Sequence, residues 1–225
     1  MSTRRFDAVL FDLDGTLVQT APEIADATND LLRELGLPPV TQQQVDAWIG
    51  HGTRELLVQA LAHVRQLSRE AVRTDEAMPT IAAQFDRHYH RRCGTHSRLY
   101  PQVIETLQQL RSQGTRVGVV TNKEGRHTER VLAAHGLQAL LDAVISGDSL
   151  PTKKPDPAGI VQCLQQWGVA PARALFVGDS RIDIATARNA GIAVWALPYG
   201  YNMGEPVVQS QPDRMIDDIS ALLTA

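Results

Sequence analysis

The motif Asp12-Leu13-Asp14-Gly15-Thr16 directly follows a short apolar run and is the strongest candidate for chemistry in the chain. In an extended backbone, side chains two residues apart point the same way, so Asp12 and Asp14 face one side and Leu13 faces the other. Gly15 allows the chain to turn with a positive φ or to approach a ligand closely. Aspartate-rich turns are common, but this motif after an apolar strand favours two functional carboxylates.

A second carboxylate motif, Gly178-Asp179-Ser180 with Asp183, follows the apolar run 174–177. Asp183 lies near the start of a predicted helix, where the helix dipole stabilises a carboxylate. Helix capping alone would explain Asp183, but it does not explain the Gly-Asp-Ser segment in front of it. The motif therefore predicts a second group of functional carboxylates.

Two further loops carry groups suited to binding an oxyanion. The hydroxyl of Thr121 and the backbone amides near Asn122 could hold one, although Thr-Asn is also an ordinary loop dipeptide. Lys153 and Lys154 lie in a proline-containing loop, where lysines are usually solvated. Only three of the 22 basic residues are lysines, the third being Lys123, and a compact, mobile ammonium binds differently from a guanidinium. This scarcity favours a functional lysine in that loop.

The elements that must position these residues form an alternating pattern. Short apolar strands are predicted at 7–11, 116–120, 143–146, 174–177 and 192–197. Helical patterns lie between the later strands, at 102–113, 126–135, 157–167 and 181–190. Such alternation predicts an α/β fold, a Rossmann-like parallel sheet with helices on both faces.

Residues 17–96 interrupt this alternation, because they show no strand pattern and their apolar residues recur at helical spacing. Thr20 to Glu23 has the pattern of a capping box at the start of a first helix, and Thr41 with Gln44 has the same pattern at a second. We expect residues 17–96 to form an α-helical cap inserted into a catalytic core made of residues 1–16 and 97–225.

The four motif-bearing loops should meet at the carboxyl edge of the sheet, where ligands of open α/β sheets bind. Gathering several aspartates there is unfavourable, because two like charges 4 Å apart repel by about 4 kcal/mol at an effective dielectric of 20. A divalent cation relieves the repulsion, and oxygen ligands without histidine or cysteine spacing favour Mg²⁺. Carboxylates, Mg²⁺, a lysine and a hydroxyl together predict a phosphoryl-transfer site.

Composition bears on other classes of protein. The 225-residue chain is 43% hydrophobic with a formal net charge of −3, which provides no electrostatic basis for binding nucleic acid. Its longest apolar run, 192–197, is too short to span a membrane. Two cysteines suit a reducing compartment, and the first residues do not resemble a signal peptide. We therefore expect a cytoplasmic globular protein. Composition does not decide its oligomeric state, for which we expect a monomer or homodimer, and the predicted phosphoryl-transfer site makes a small-molecule phosphomonoester the expected partner.

Four motifs in order resemble those of the haloacid dehalogenase superfamily of aspartate-nucleophile phosphatases. They are Asp12-Leu13-Asp14-Gly15-Thr16, Thr121-Asn122, Lys154-Pro155, and Gly178-Asp179-Ser180 with Asp183. The insert resembles the cap of the subfamily with an α-helical cap. Segments 48–52, 147–151 and 199–206 most resemble the phosphoglycolate phosphatases of that subfamily.

The resemblance implies a role for each matched residue. Asp12 is the implied nucleophile, and Asp14 the implied general acid and base. The implied metal ligands, for Mg²⁺, are Asp12, Asp14 through its backbone carbonyl, Asp179 and Asp183. Asp183 is also implied to orient Lys154 or a metal-bound water. The implied phosphoryl-binding residues are Thr121, Asn122 and Lys154.

The substrate implied by the closer resemblance, 2-phosphoglycolate, carries a phosphate at one end and a carboxylate at the other. The cap should meet the carboxylate, and the candidates are His51 and Arg54, in a glycine-containing loop that leads into a helix. A solvated helix residue is an equally open interpretation of Arg54.

Alternatives remain at the level of substrate. A phosphatase for another small sugar phosphate or nucleotide, or a hexose phosphate mutase, would carry the same core motifs. A dehalogenase would lack Asp14, and a phosphonoacetaldehyde hydrolase would need a cap lysine, which residues 17–96 do not contain. A receiver-type signalling domain also phosphorylates an aspartate, but it has no long helical insert. The chain departs from the usual family pattern at Gln19, Glu124 and Asp156.

Overall fold

A computed structural model describes residues 6–224. The strands, in chain order, are β1 (Ala8–Phe11), β2 (Val18–Gln19), β3 (Arg98–Leu99), β4 (Arg116–Val120), β5 (Ala143–Ile145), β6 (Ala174–Gly178), β7 (Ala193–Ala196) and β8 (Arg214–Met215). Within the described residues, six of them form one sheet in the order β5-β4-β1-β6-β7-β8, and all its pairings are parallel. The predicted Rossmann-like α/β core is confirmed.

Strand β1 lies at the centre of this sheet, between β4 and β6, and every residue of it is buried. Val9 and Phe11 belong to the apolar cluster on one face of the sheet, and Ala8 and Leu10 belong to the cluster on the other. Burial on both faces explains why the strand is a continuous apolar run with no polar alternation.

Helices cover both faces of the sheet. They are α1 (Ala21–Glu34), α2 (Gln42–Asp46), α3 (Thr53–Arg65), α4 (Arg69–Arg73), α5 (Met78–Arg92), α6 (Val103–Ser112), α7 (Gly125–Ala134), α8 (Ala158–Trp167) and α9 (Arg181–Asn189). Helices α6 and α7 contribute to the cluster that contains Phe11, and α8 and α9 contribute to the cluster that contains Leu10. The sequence predicted these four helices to within about two residues at each end.

Helices α1 to α5 form the insert that follows the first strand. Helix α1 packs along α5, and the buried side chains Leu31, Leu61 and Phe85 join the same apolar cluster as Phe11 of the sheet. The capping box predicted at Thr41 and Gln44 is present at the start of α2. The insert and the adjoining face of the sheet therefore share one continuous core.

Two features of the insert differ from the prediction. Val18–Gln19 pairs with Arg98–Leu99 as a two-stranded antiparallel ribbon, so the expectation of no strand in residues 17–96 is wrong at its first residues. The capping box predicted at Thr20 is also wrong, since the Thr20 side chain makes no cap hydrogen bond. The short edge strand β8 was not predicted either. Two-residue strands bury too little to leave a pattern in a sequence.

None of the helices described between residues 6 and 224 is long and apolar enough to cross a membrane.

Candidate active site

Asp12 and Asp14 follow β1 and line the same cavity, but they have different partners. One oxygen of Asp12, Oδ1, accepts a hydrogen bond from the amide of Leu13 at 2.7 Å and lies 2.8 Å from Nζ of Lys154. The Asp14 carboxylate accepts from Thr20 Oγ1 at 2.7 Å and from Lys123 Nζ at 3.1 and 3.2 Å. Two carboxylates on one side of the chain are thereby given distinct environments, as two distinct chemical roles require.

Lys154 joins the first and second carboxylate motifs. Its ammonium lies 2.7 Å from Asp183 Oδ1 as well as 2.8 Å from Asp12 Oδ1. Burial lowers the pKa of Lys154, but the two carboxylates outweigh burial and hold that pKa above its usual value. The ammonium is therefore charged at neutral pH and is fixed beside the candidate nucleophile.

Asp183 is fully buried and has two functions in the fold. Its Oδ2 accepts from the amide and the hydroxyl of Ser180 and from the amide of Asp179, which completes the capping box at the start of α9. Its other oxygen holds Lys154. Capping and lysine positioning, treated as alternatives from the sequence, are performed by the two oxygens of one side chain.

Asp179 lies in a buried pocket built from backbone. Its Oδ1 accepts from Thr16 Oγ1 at 2.7 Å, and its Oδ2 accepts from the amide of Tyr201 at 2.6 Å. A Cβ at Gly15, where φ is +85°, or at Gly200 would overlap this carboxylate. Glycine at both positions is therefore what allows the chain to close around Asp179.

The carboxylates of Asp12, Asp179 and Asp183 form a cluster with ligand oxygens within 4.8 Å of one another. Burial raises the pKa of Asp12 to about 6 in spite of Lys154, and burial followed by repulsion from Asp183 and Asp12 raises the pKa of Asp179 well above its ordinary value. Lys154 contacts Asp12 and Asp183, so one cation faces three clustered carboxylates and an excess of negative charge is left. This donor set of hard oxygens fits a divalent cation such as Mg²⁺.

The Asp14 carboxylate is not part of that cluster, because Lys123 and Thr20 bind it. A contribution of Asp14 to metal binding through its backbone carbonyl stays a prediction.

Thr121 and Asn122 line the same cavity as the aspartates. The Thr121 hydroxyl accepts from the amide of Lys123 at 3.3 Å. The Asn122 side-chain amide donates to the backbone carbonyls of Gly50 and Lys154 at 3.2 and 3.1 Å, and its Oδ1 is buried without a hydrogen-bond partner among the described residues. Asn122 thus joins the insert to the lysine loop at the edge of the cavity.

The insert encloses the cavity with apolar side chains from three of its helices and one of its loops. These are Ile24, Ile49, Leu56, Phe85 and Tyr89.

Three core side chains hold the loop that leads into α3. Asn122 donates to the Gly50 carbonyl, Lys153 Nζ donates to the His51 carbonyl at 2.8 Å, and Glu124 accepts from Thr53 Oγ1 at 2.8 Å. The structure therefore shows the insert closed over the site.

The two cap residues predicted to bind a substrate carboxylate lie elsewhere. His51 and Arg54 line a separate surface depression with Arg73, and neither lines the cavity that contains Asp12. The guanidinium of Arg54 donates to the carbonyl of Arg73 at 3.3 Å. Burial, followed by the charge of Arg181, lowers the pKa of His51, so its ring is neutral at pH 7.

All three lysines of the chain lie around this site. Lys154 binds Asp12, Lys153 binds the cap loop, and Lys123, which was not among the predicted site residues, binds Asp14. The scarcity of lysine was the signal that could have identified Lys123, since it directly follows the Thr-Asn motif.

Other contributors were missed for different reasons. Thr20 was assigned to a helix cap, yet its hydroxyl binds Asp14. Tyr201 supplies a backbone amide to Asp179, and its hydroxyl accepts from the amide of Ala21. Neither backbone donors nor contacts between distant loops leave a signature in residue types alone.

A carboxylate cluster with a fixed lysine, at the carboxyl edge of a parallel sheet and under a helical insert, is an arrangement that suits phosphoryl transfer. A family model described as haloacid dehalogenase-like hydrolase matches residues 9–197. The chain belongs to this family, which confirms the resemblance carried by the four motifs.

Similar proteins match this chain over almost its whole length. A phosphoglycolate phosphatase from Haemophilus influenzae is 40% identical over 220 residues, 98% of each chain. One from Mannheimia succiniciproducens is 40% identical over 219 residues, 97% of each chain. The crystal structure of a predicted phosphoglycolate phosphatase from Haemophilus somnus has a TM-score of 0.92 and 38% identity, covering 99% of both chains. The chain is accordingly an enzyme, a hydrolase of phosphoric monoesters similar to these proteins.

Proposed function

We propose that this enzyme hydrolyses 2-phosphoglycolate to glycolate and phosphate, with Asp12 as nucleophile and Mg²⁺ as cofactor. The observation that carries the proposal is that two carboxylates on one wall of the cavity have different partners. Asp12 is paired with a buried lysine, and Asp14 is held by Lys123 and Thr20. The substrate is suggested by the names of the relatives from Haemophilus influenzae and Mannheimia succiniciproducens.

In the first step, an oxygen of Asp12 attacks phosphorus, and the bond from phosphorus to the glycolate oxygen breaks. Asp14 in its protonated form donates a proton to that oxygen, so glycolate leaves with a neutral hydroxyl rather than an alkoxide. Lys154 and the hydroxyl of Thr121 bind oxygens of the transferring phosphoryl group. Two displacements then replace one difficult hydrolysis.

In the second step, water attacks the phosphorus of the aspartyl phosphate and the bond to Asp12 breaks. Asp14, now a carboxylate, takes the proton from that water and returns to its starting state. Phosphate is released, and Asp12 is regenerated as a carboxylate.

Mg²⁺ bound by Asp12 and Asp179 would neutralise charge that develops on the phosphoryl oxygens. Asp183 holds Lys154 in place through a 2.7 Å contact. The metal therefore supplies electrostatic stabilisation, while the chain supplies the nucleophile, the proton and the orientation.

The helices of the insert exclude bulk water from the reaction. Apolar side chains such as Ile24, Leu56 and Phe85 face the cavity, and the loop before α3 is fixed to the core. Exclusion of water strengthens every charge interaction inside and limits the water available to the intermediate. We assign residues 17–96 the function of a cap on this basis, and we place the enzyme in the cytoplasm, since its two cysteines are free thiols.

The test is phosphate release from a panel of small phosphomonoesters, including sugar phosphates and nucleotides, with and without Mg²⁺. We expect the highest kcat/KM for 2-phosphoglycolate, dependence on Mg²⁺, and no activity in Asp12→Asn. A variant Asp12→Asn that retains the full rate would overturn the assignment of the nucleophile. A higher kcat/KM for a sugar phosphate would overturn the choice of substrate alone.

A further inference from the structure

Lys123 is a buried cation inside the cavity that the proposed chemistry does not use. It directly follows the Thr121-Asn122 loop, and only 4% of its side chain is exposed. Its ammonium contacts both oxygens of Asp14 and the hydroxyl of Tyr89, a residue of the insert helix α5. The ammonium of Lys123 therefore lies between Asp14, the candidate general acid and base, and the wall of the cavity that the insert forms.

Among the described residues that line the cavity, Lys123 is the one cation. Lys154 is held by Asp12 and Asp183 on the phosphate side, and Arg54 lies outside the cavity. The wall contributed by the insert is otherwise mainly apolar. An anionic group of a substrate that enters this side can avoid a large desolvation cost only if it pairs with a buried cation.

We propose that Lys123 is the specificity-determining residue that binds a carboxylate of the substrate, placed a short distance from its phosphate. The inference rests on the proposed function and deepens it, since it names the group that would distinguish 2-phosphoglycolate from phosphomonoesters with a neutral second end. It reassigns the carboxylate contact predicted for His51 and Arg54.

The donors of Lys123 leave room for this contact. A lysine ammonium has three N–H donors. The two contacts with Asp14, at 3.1 and 3.2 Å, suit one donor shared between both oxygens, and Tyr89 takes a second. Among the described residues, no further hydrogen bond of this ammonium is found, so one donor is available to a ligand in the cavity.

A network from the insert fixes the position of the ammonium. The Tyr89 hydroxyl donates to Glu23 Oε1 at 3.4 Å, and Glu23 Oε2 accepts from the amides of Gly94 and Ser97 at 2.8 and 3.2 Å. Gly94 and Ser97 lie in the segment that leads from α5 back to the core. In this arrangement Tyr89 of the insert contacts Lys123 and fixes the position of the cation within the cavity.

The residue type agrees with this role. Two anionic groups joined by a single carbon and an ester oxygen need a compact cation near the phosphate subsite, and an ammonium is more compact than a guanidinium. Nineteen of the 22 basic residues are arginines, yet the position that directly follows Thr121-Asn122 is a lysine.

A matched pair of substrates tests the inference. 2-Hydroxyethyl phosphate has the same phosphate ester and the same two-carbon skeleton as 2-phosphoglycolate, with a neutral hydroxymethyl group in place of the carboxylate. We expect the wild type to prefer 2-phosphoglycolate, and we expect Lys123→Met to lower the ratio of the two kcat/KM values by about 10- to 100-fold, the effect of one charged hydrogen bond. Arg54→Gln, a charge removed outside the cavity, should leave the ratio unchanged.

Activity toward 2-hydroxyethyl phosphate, which lacks the carboxylate, and the circular dichroism spectrum of each variant show whether that variant is folded. An equal loss of kcat/KM for both substrates in Lys123→Met would overturn the inference and leave Lys123 as a positioning residue for Asp14. A selective loss in Arg54→Gln would also overturn it, and would restore the carboxylate contact to Arg54.

A binding measurement separates this inference from the proposed function. In the variant Asp12→Asn, which stops turnover, the dissociation constants of both ligands are measured by calorimetry with and without Lys123→Met. A preference for 2-phosphoglycolate that disappears with Lys123→Met supports the inference even if the wild type fails to hydrolyse that ester, which would overturn the proposed function alone. Equal affinities for both ligands in Asp12→Asn would overturn the inference.

Discussion

The ammonium of Lys154 lies 2.7 Å from Asp183 and 2.8 Å from Asp12, so one buried cation joins the two carboxylate motifs of the chain. The motifs are 171 positions apart in sequence, counted from Asp12 to Asp183, and β1 and β6 bring them together as neighbouring strands. Removal of Lys154 leaves both carboxylates in a low-dielectric interior without a cation, whereas removal of Asp183 leaves Lys154 paired with Asp12 alone.

This relationship predicts strong coupling between Lys154→Met and Asp183→Asn. Lys154→Met should lower the free energy of unfolding by about 3–5 kcal/mol, because it leaves Asp12 and Asp183 without a cation. Asp183→Asn should cost less, about 1–3 kcal/mol, because Lys154 loses one charged hydrogen bond but keeps its contact with Asp12. The double variant should lose less than the sum of the two, by about 1–3 kcal/mol. Urea unfolding of the four proteins measures the difference. Additive losses would show that Lys154 and Asp183 do not form a functional pair, and all three variants should lack phosphatase activity.

The carboxylate cluster predicts a stability that depends on pH and on metal. The pKa of Asp12 is raised to about 6 and the pKa of Asp179 is raised further above its ordinary value, so the folded protein binds protons that the unfolded chain releases. The stability from this cluster is fully present below about pH 4, the ordinary pKa of aspartate, and is lost progressively as the pH rises from there through 6.

Asp179→Asn isolates that effect. The amide keeps the shape of the side chain and its contact with the amide of Tyr201, and the Thr16 hydroxyl can accept from it instead of donating. We expect this variant to be more stable than the metal-free wild type by about 1–3 kcal/mol at pH 7.5, and similar to it at about pH 3.5, below the ordinary pKa of aspartate. Adding Mg²⁺ should raise the melting temperature of the wild type and leave Asp179→Asn nearly unchanged. Parallel pH profiles for the two proteins would contradict the assignment.

The sequence predicted the elements that bury many apolar residues and failed for those that bury few. Strands such as Ala174–Gly178 are apolar on both faces and were recognised, whereas the two-residue pair Val18–Gln19 and Arg98–Leu99 was not. Such short strands are set by the tertiary position of the linkers rather than by the apolar pattern.

The residues of the candidate site also fall into a group that the sequence predicted and a group that it missed. Core residues such as Asp12 and Asp179 were recognised because each lies at the end of a predictable strand. The residues that line the cap side, including Tyr89, were missed because their positions depend on how the insert packs on the core. For the same reason the sequence left Arg54 open between a substrate-binding residue and a solvated helix residue, and the structure places it outside the cavity. Residue types are enough to locate the ends of strands, but they are not enough to predict how the helices of the insert pack on the core.

Two glycine substitutions separate close packing from backbone conformation. Gly200→Ala places a methyl group against the Asp179 carboxylate, whereas Gly168→Ala meets no atom within 4 Å but requires a φ of +65°. We expect Gly200→Ala to lower kcat by at least about 10-fold, since a displaced carboxylate misplaces the metal site. Gly168→Ala should cost about 1 kcal/mol of stability and leave kcat unchanged. Steady-state kinetics and thermal unfolding distinguish the two. A Gly200→Ala enzyme with normal kcat and normal Mg²⁺ dependence would contradict this account of Asp179.

The hydrogen bond from Thr53 Oγ1 to Glu124 Oε2, 2.8 Å long, joins the first turn of α3 to the core. Its loss should weaken closure of the insert by about 1 kcal/mol, a neutral-to-charged hydrogen bond in a half-buried setting. Thr53→Val, which keeps the shape of the side chain, should therefore reduce kcat/KM by about 5-fold for every substrate, because closure precedes chemistry whatever the ester. Glu124→Gln should give a similar reduction, and the double variant should be no worse than either single one.

Thr41→Val, which alters a cap hydrogen bond on the exposed side of the insert, provides the matched control with unchanged kinetics. Additive reductions in the double variant would show that Thr53 and Glu124 act on the enzyme separately and that the contact does not hold the insert closed.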